Sequence, residues 1–183
     1  DCNLQYLVED DVPSIHGKIV LRSGEEVQLH CVHPRPPGHG ERSGTIPRDA
    51  ELLLVGQEVR KSGLPAIVMG DFNDVAWSYT TKLFQHISGL LDPRIGRGLV
   101  STFPARLPFL RFPLDHVFHS GEFRLVNYRR LGYIGSDHLP LLCTLDYCPA
   151  KSDEHDNLVA ESQHHRDAAR KIRIAHPIEP PNI

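Results

Sequence analysis

Pro65-Ala66-Ile67-Val68-Met69-Gly70-Asp71-Phe72-Asn73-Asp74 is the stretch on which the reading of this chain turns. Five apolar residues in a row, closed by glycine and then by turn-forming polar residues, describe a strand buried on both faces that ends abruptly. Such a strand delivers Asp71 to an edge of its sheet. Upstream, Ala50, Leu53, Leu54, Val55 and Val59 lie on one side of a helix over 47–62, with Pro47 suited to its first turn and Gly63 to its end. Downstream, Leu83, Phe84 and Ile87 predict a second helix over 78–88, closed by Gly89. Farther upstream, strands over 15–21 and 27–33 flank Ser23-Gly24-Glu25, a hairpin-like connection, and His33 falls where the second strand meets a Pro- and Gly-rich loop. Strands over 114–119, 123–131 and 141–147 complete the pattern. Helices alternating with strands, then successive strands, predict an α/β (α+β) sandwich: two packed, mostly antiparallel sheets flanked by helices. One domain over 15–148 is expected, after a leading segment over 1–14. Residues 149–183, rich in charge and poor in large apolar groups, read as a flexible tail that admits a short helix over 157–172.

A second polar stretch, Gly135-Ser136-Asp137-His138-Leu139-Pro140, directly precedes a strand, and Leu114-Asp115-His116-Val117-Phe118 lies between the two. Either stretch alone is an ordinary turn, because Asp, Asn, Gly and Ser favour turns for local reasons. In this order they resemble the G-D-F-N, L-D-x-[IV]-[FL] and S-D-H-x-P motifs of the endonuclease/exonuclease/phosphatase (DNase I-like) family. Val32-His33-Pro34 and Ser101-Thr102-Phe103-Pro104 resemble two further motifs of that family. The likeness runs from Ile15 to Tyr147, the later, C-terminal part of the domain, and is strongest to bacterial members of unassigned substrate.

The resemblance implies a divalent-metal-dependent hydrolase of phosphodiester or phosphomonoester bonds. Its substrate would be nucleic acid, a phospholipid head group or a small phosphorylated molecule. Cleavage of a phosphate ester needs positive charge on the nonbridging oxygens, an activated water, and donors for charge developing in the transition state. Asp71 is the candidate to orient or deprotonate the water. Asn73, on the same side if the backbone stays extended, donates to phosphate. His138 donates as well, its tautomer fixed by Asp115. His33 resembles a further phosphate-facing histidine, and Asp137 a hard-oxygen ligand for Mg²⁺ or Mn²⁺. His116 is thrown to the opposite face of its strand and reads as a core residue, and Trp77 is expected to pack under the Asp71 loop.

The family also uses an Asn at the end of its first strand and a metal-binding Glu soon after. Neither is identifiable here, and Asn3 and Glu9 receive no role. The N-terminal part of the fold is therefore expected to be missing, leaving an exposed sheet edge through which chains associate. The alternative reading is a non-catalytic or truncated binding module that keeps the phosphate-facing loops.

Composition excludes other classes. With 23 acidic and 20 basic residues the formal charge is −3, so no basic field exists to grip a long nucleic acid. The arginines between 94 and 130 read as solvated surface. No run approaches the ~20 apolar residues of a membrane helix, although an anchor upstream of Asp1 would leave no trace here. The four cysteines show no metal-ligand spacing; Cys31 and Cys143 sit in apolar runs, which favours a reducing, cytoplasmic location.

Overall fold

Period-two alternation along the chain builds a five-stranded sheet ordered β1-β2-β3-β4-β5. In the computed structural model, which describes residues 2–38, 44–150 and 158–176, these strands are Cys2–Gln5, Ser14–Val20, Glu26–Val32, Ala66–Asp71 and Asp115–His119. All neighbours are antiparallel except β3 and β4, which run parallel because α1 (Ile46–Ser62) carries the chain back between them. A second sheet pairs β6 (Phe123–Arg130) with β7 (Leu141–Tyr147), antiparallel. The expected architecture of two mostly antiparallel sheets with helices is what the chain adopts. The leading segment differs: residues 2–5, set apart in the sequence, form β1 and extend the sheet beyond β2. β1 is an edge strand and largely exposed.

Helix limits follow local chemistry. Ser78 caps α2 (Tyr79–Ser88) by accepting from the Thr81 N–H, and Gly63 and Gly89 end α1 and α2 in left-handed conformation, as their sequence positions predict. The core lies on the helix-covered face of the sheet. There Val32, Ala66, Val68 and Phe118 meet Leu52, Val55 and Val59 of α1 together with Phe72, Phe84 and Leu90. Phe72, Phe84 and Phe118 form a triangle with ring centroids 5.2–5.4 Å apart. Each fully buried ring of this kind contributes on the order of 2–3 kcal/mol by removal from water.

The segment read as a flexible tail contains α3 (Ser162–Ala175), which is docked. Ala168 is fully buried against Leu53, Leu83 and Ile87, and Lys171 Nζ lies 2.6 Å from the buried Asp49 carboxylate. Ile172 and Ala160 pack against the same cluster, so a short apolar stripe among charged neighbours, with one ion pair, seats the helix on α1 and α2. Residues 151–157 and 177–183 of that tail lie outside the described residues. Among the described residues, no helix is long and apolar enough to cross a membrane.

Candidate active site

The parallel pairing of β3 with β4 ends with Val32 opposite Gly70, and the pairing of β4 with β5 ends with Asp71 opposite Asp115. His33, Asp71 and Asp115 therefore leave three neighbouring strands at one rim of the sheet. Gly70 permits this approach: its φ is +143°, and a Cβ there would lie 1.9 Å from the Val32 carbonyl oxygen.

The Asp71 loop is fixed from beneath. Phe72 is fully buried, and its N–H donates to Leu114 O at 2.9 Å. The Asp74 carboxylate accepts from the Ser78 hydroxyl and from Thr81 Oγ1, tying the loop to the start of α2. Two residues with no motif signal complete the support. Arg48, at the start of α1, is buried and donates to Asn73 O at 2.6 Å and to Asp49. His116, buried as its strand phase predicts, lies 2.9 Å from Asp74 O and 2.7 Å from Arg94. Arg94, read in sequence as solvated, is thus buried between Asp92 and His116. Trp77 is half exposed and does not sit under the loop; Phe72 occupies that place.

All six residues singled out from sequence, His33, Asp71, Asn73, Asp115, Asp137 and His138, line one cleft of about 550 Å³. His138 Nδ1 is 2.7 Å from Asp115 Oδ2, and its Nε2 is 3.7 Å from Asp71 Oδ2. His33 Nε2 stands on the other side of the same oxygen, at 3.6 Å. The two imidazoles differ in exposure, 70% for His33 and 23% for His138. The Phe103 ring lies 4.7 Å from the His138 ring, centroid to centroid, and the His138 N–H donates to Ser136 Oγ. The 101–104 segment, noted in sequence for its likeness to a motif, thereby braces the histidine.

Asn73 reaches the cleft by a different route from the expected extended backbone. Its φ is +49°, left-handed, and its N–H donates to Asp71 Oδ1 at 2.8 Å, an Asx-type turn. One hydrogen of its amide donates to Pro34 O at 2.9 Å, leaving the second for a ligand. Burial raises the Asp71 carboxyl above the usual range, opposed by the Asn73 N–H, and the neighbouring Asp115 charge adds to the rise. Asp137 is exposed at the cleft edge, its backbone carbonyl anchored by the Ala105 N–H at 2.7 Å.

One donor atom each from Asp71, Asp115 and His138 lies within 4.8 Å of the others. Asp115 is engaged by His138 and Asp71 Oδ1 by the Asn73 N–H, so Asp71 Oδ2 and the exposed carboxylate of Asp137 are the ones open to a cation. One or two carboxylates completed by water and substrate phosphate is the usual holding of a hard ion such as Mg²⁺, so the residues present fit one. No glutamate lines the cleft among the described residues.

The chain matches the family model of the Endonuclease/Exonuclease/phosphatase family over residues 1–138, a span that includes the leading segment. No curated protein matches the sequence. Solved structures do. An endonuclease/exonuclease/phosphatase from Bacteroides vulgatus shares 19% identity at a TM-score of 0.64, covering 80% of this chain and 65% of that one. The mannosyl-6-phosphatase of Bacteroides thetaiotaomicron shares 22% at 0.60, covering 74% and 57%. D. rerio TDP2 complexed with single-strand DNA product shares 15% at 0.62, covering 80% and 67%. The chain thus spans roughly three fifths to two thirds of these structures' own length. At such identities the likeness speaks for the fold.

Proposed function

Because the chain belongs to the endonuclease/exonuclease/phosphatase family, we propose that its cleft is a divalent-metal-dependent phosphoesterase site, hydrolysing phosphodiester or phosphomonoester bonds. The observation that carries this reading is the chain of contacts Asp115–His138–Asp71–His33, which gathers four groups from distant positions around one opening. Asp115 accepts the Nδ1 proton of His138 and turns Nε2 toward the cleft, where it accepts a proton when the ring is neutral and donates to a phosphate oxygen as the imidazolium. Asp71, with its raised proton affinity and its Oδ2 facing both imidazoles, orients the attacking water and takes its proton. The second amide hydrogen of Asn73 and the exposed imidazole of His33 supply further donors to the phosphate. Asp137, with water and the substrate phosphate, would hold Mg²⁺ or Mn²⁺, which when bound offsets charge on the nonbridging oxygens.

Substrates divide by chemistry. One structural relative is a sugar phosphatase and another is complexed with a DNA product, so both a monoester and a diester belong in the assay. The net charge of −3 favours a small phosphate ester over long nucleic acid. A binding module without catalysis is the second reading, favoured by the absence of a glutamate from the cleft lining among the described residues.

The test is hydrolysis of bis-p-nitrophenyl phosphate and of mannose 6-phosphate with Mg²⁺ or Mn²⁺ by the wild-type chain and by Asp71→Ala and His138→Ala. A preorganised donor contributes ~10²–10³ in rate, so each variant should lose at least that. Equal rates in all three would rule out catalysis at this cleft, and phosphate binding without turnover would establish the second reading.

A further inference from the structure

Away from the cleft, three metal-ligating side chains meet between α1 and the helix-covered face of the sheet. His16 of β2 and His30 of β3 are cross-strand partners in the hairpin register, and Glu58 reaches down from α1. His16 Nδ1 is 2.9 Å from His30 Nδ1 and 3.1 Å from Glu58 Oε2. The two imidazoles are 4% and 1% exposed, whereas the Glu58 side chain is 40% exposed.

The polar contacts around the pair leave three ligand atoms facing one another. Ser14 Oγ lies 2.8 Å from His16 Nε2 and also reaches Gln5 O. The Gln28 side-chain oxygen can only accept, so His30 Nε2, 3.4 Å away, carries the proton of a neutral ring and His30 Nδ1 presents a lone pair. His16 Nδ1 has at most one proton to share between that lone pair and Glu58 Oε2.

We propose that His16, His30 and Glu58 form a cation site, separate from the cleft, that takes Zn²⁺ or a similar divalent metal. Two imidazoles and a carboxylate are a donor set that suits zinc. The bond lengths of about 2.0–2.2 Å usual for these ligands put tetrahedral neighbours about 3.3–3.6 Å apart, so the contacts of 2.9 and 3.1 Å would open by a few tenths of an ångström around an ion. Ser14 and Gln28 act as the outer hydrogen-bond partners that orient ligating histidines, and Gln28 is itself held by Ser62 at 2.9 Å. The Glu58 side chain is 40% exposed, which gives the site a solvent route. The ion would pin α1 to β2 and β3, and α1 leads directly into the strand that ends in Asp71.

The experiment counts zinc on the untagged chain after chelation, reloading and dialysis, and follows thermal unfolding with and without the metal. One zinc per chain is expected in the wild type and equally in the cleft variant Asp137→Asn, with a higher Tm when loaded. Glu58→Gln, at a half-exposed position where the fold is not at stake, should weaken binding by at least the ~10–100-fold that even outer-partner changes cost. It should also abolish the Tm rise, and His30→Gln should do the same. No zinc on the wild type, equal zinc on Glu58→Gln, or loss of zinc only in Asp137→Asn would each overturn the proposal; the last two would place the ion elsewhere.

Discussion

Substituting Gly70 by Ala tests how β4 brings Asp71 beside His33. The added Cβ would stand 1.9 Å from Val32 O, where a carbon and an oxygen need more than 3 Å, so β4 must withdraw by over an ångström or twist away from β3. The backbone φ of +143° adds a conformation that L residues avoid. Strain of that kind costs about 1–3 kcal/mol, and forced overpacking about 1–3 kcal/mol more. A loss of about 2–6 kcal/mol is a large share of the 5–15 kcal/mol that holds a typical domain. For a chain of this size it corresponds to a Tm lower by about 4–24 °C. Because the strain falls at the rim, activity should drop as well, by 10²-fold or more for a displacement near 1 Å. Thermal melts followed by circular dichroism, with phosphodiester turnover measured well below the transition, read both effects. A Tm within 2 °C of wild type together with unchanged turnover would refute the argument that this glycine sets the spacing of the site.

Three further outcomes follow from separate contacts. Asp115→Asn keeps the shape but removes the charge that holds His138 Nδ1–H at 2.7 Å; a bond to a charged group is worth about 1.5–3 kcal/mol, so kcat should fall about 10–150-fold with KM little changed. Glu51 is 2% exposed on α1 and burial pushes its carboxyl up to about 7, above its ordinary 4.5. The folded state then binds the proton more tightly than the unfolded one, so wild-type stability is full below pH 4.5 and declines as pH rises through 7. Glu51→Gln should therefore be more stable than wild type at pH 8, by up to ~3 kcal/mol, and no more stable at pH 4, as urea titrations at the two pH values would show. Ala168→Glu should release α3 by burying a charge against Leu53 and Leu83, lowering stability by more than ~2 kcal/mol; limited proteolysis should then cut between 158 and 176, and resistance equal to wild type would mean the helix is not docked through that residue.

Much of this arrangement was legible in sequence because its signals are local. An apolar run ending in Gly70-Asp71 can only stop a strand at a sheet rim, and Gly63, Ser78 and Gly89 mark helix ends by their own conformational preferences. Other features depend on what meets what in space. Arg48 looks like any first-turn arginine until the Asn73 carbonyl closes on it. The left-handed turn at Asn73 is induced by the Asp71 side chain, which extended-strand reasoning ignores. α3 is seated through Ala168, Ile172 and the Lys171–Asp49 pair, a stripe that its charged composition hides. His16 and His30 were within reach: the turn at Ser23-Gly24-Glu25 sets a register that places them opposite each other. What sequence did not disclose is Glu58 of α1 above them.

The central claim, that loops around 33, 71, 115 and 137 surround a single phosphate, is tested most directly by titrating inorganic phosphate in the presence of Mg²⁺ while following the imidazole resonances of His33 and His138 by NMR. Both rings should shift together along one binding curve, and the response of His138 should collapse in Asp71→Ala. Shifts that follow different curves, or a His33 ring that responds while His138 stays still, would mean that the groups gathered at this rim do not share one ligand.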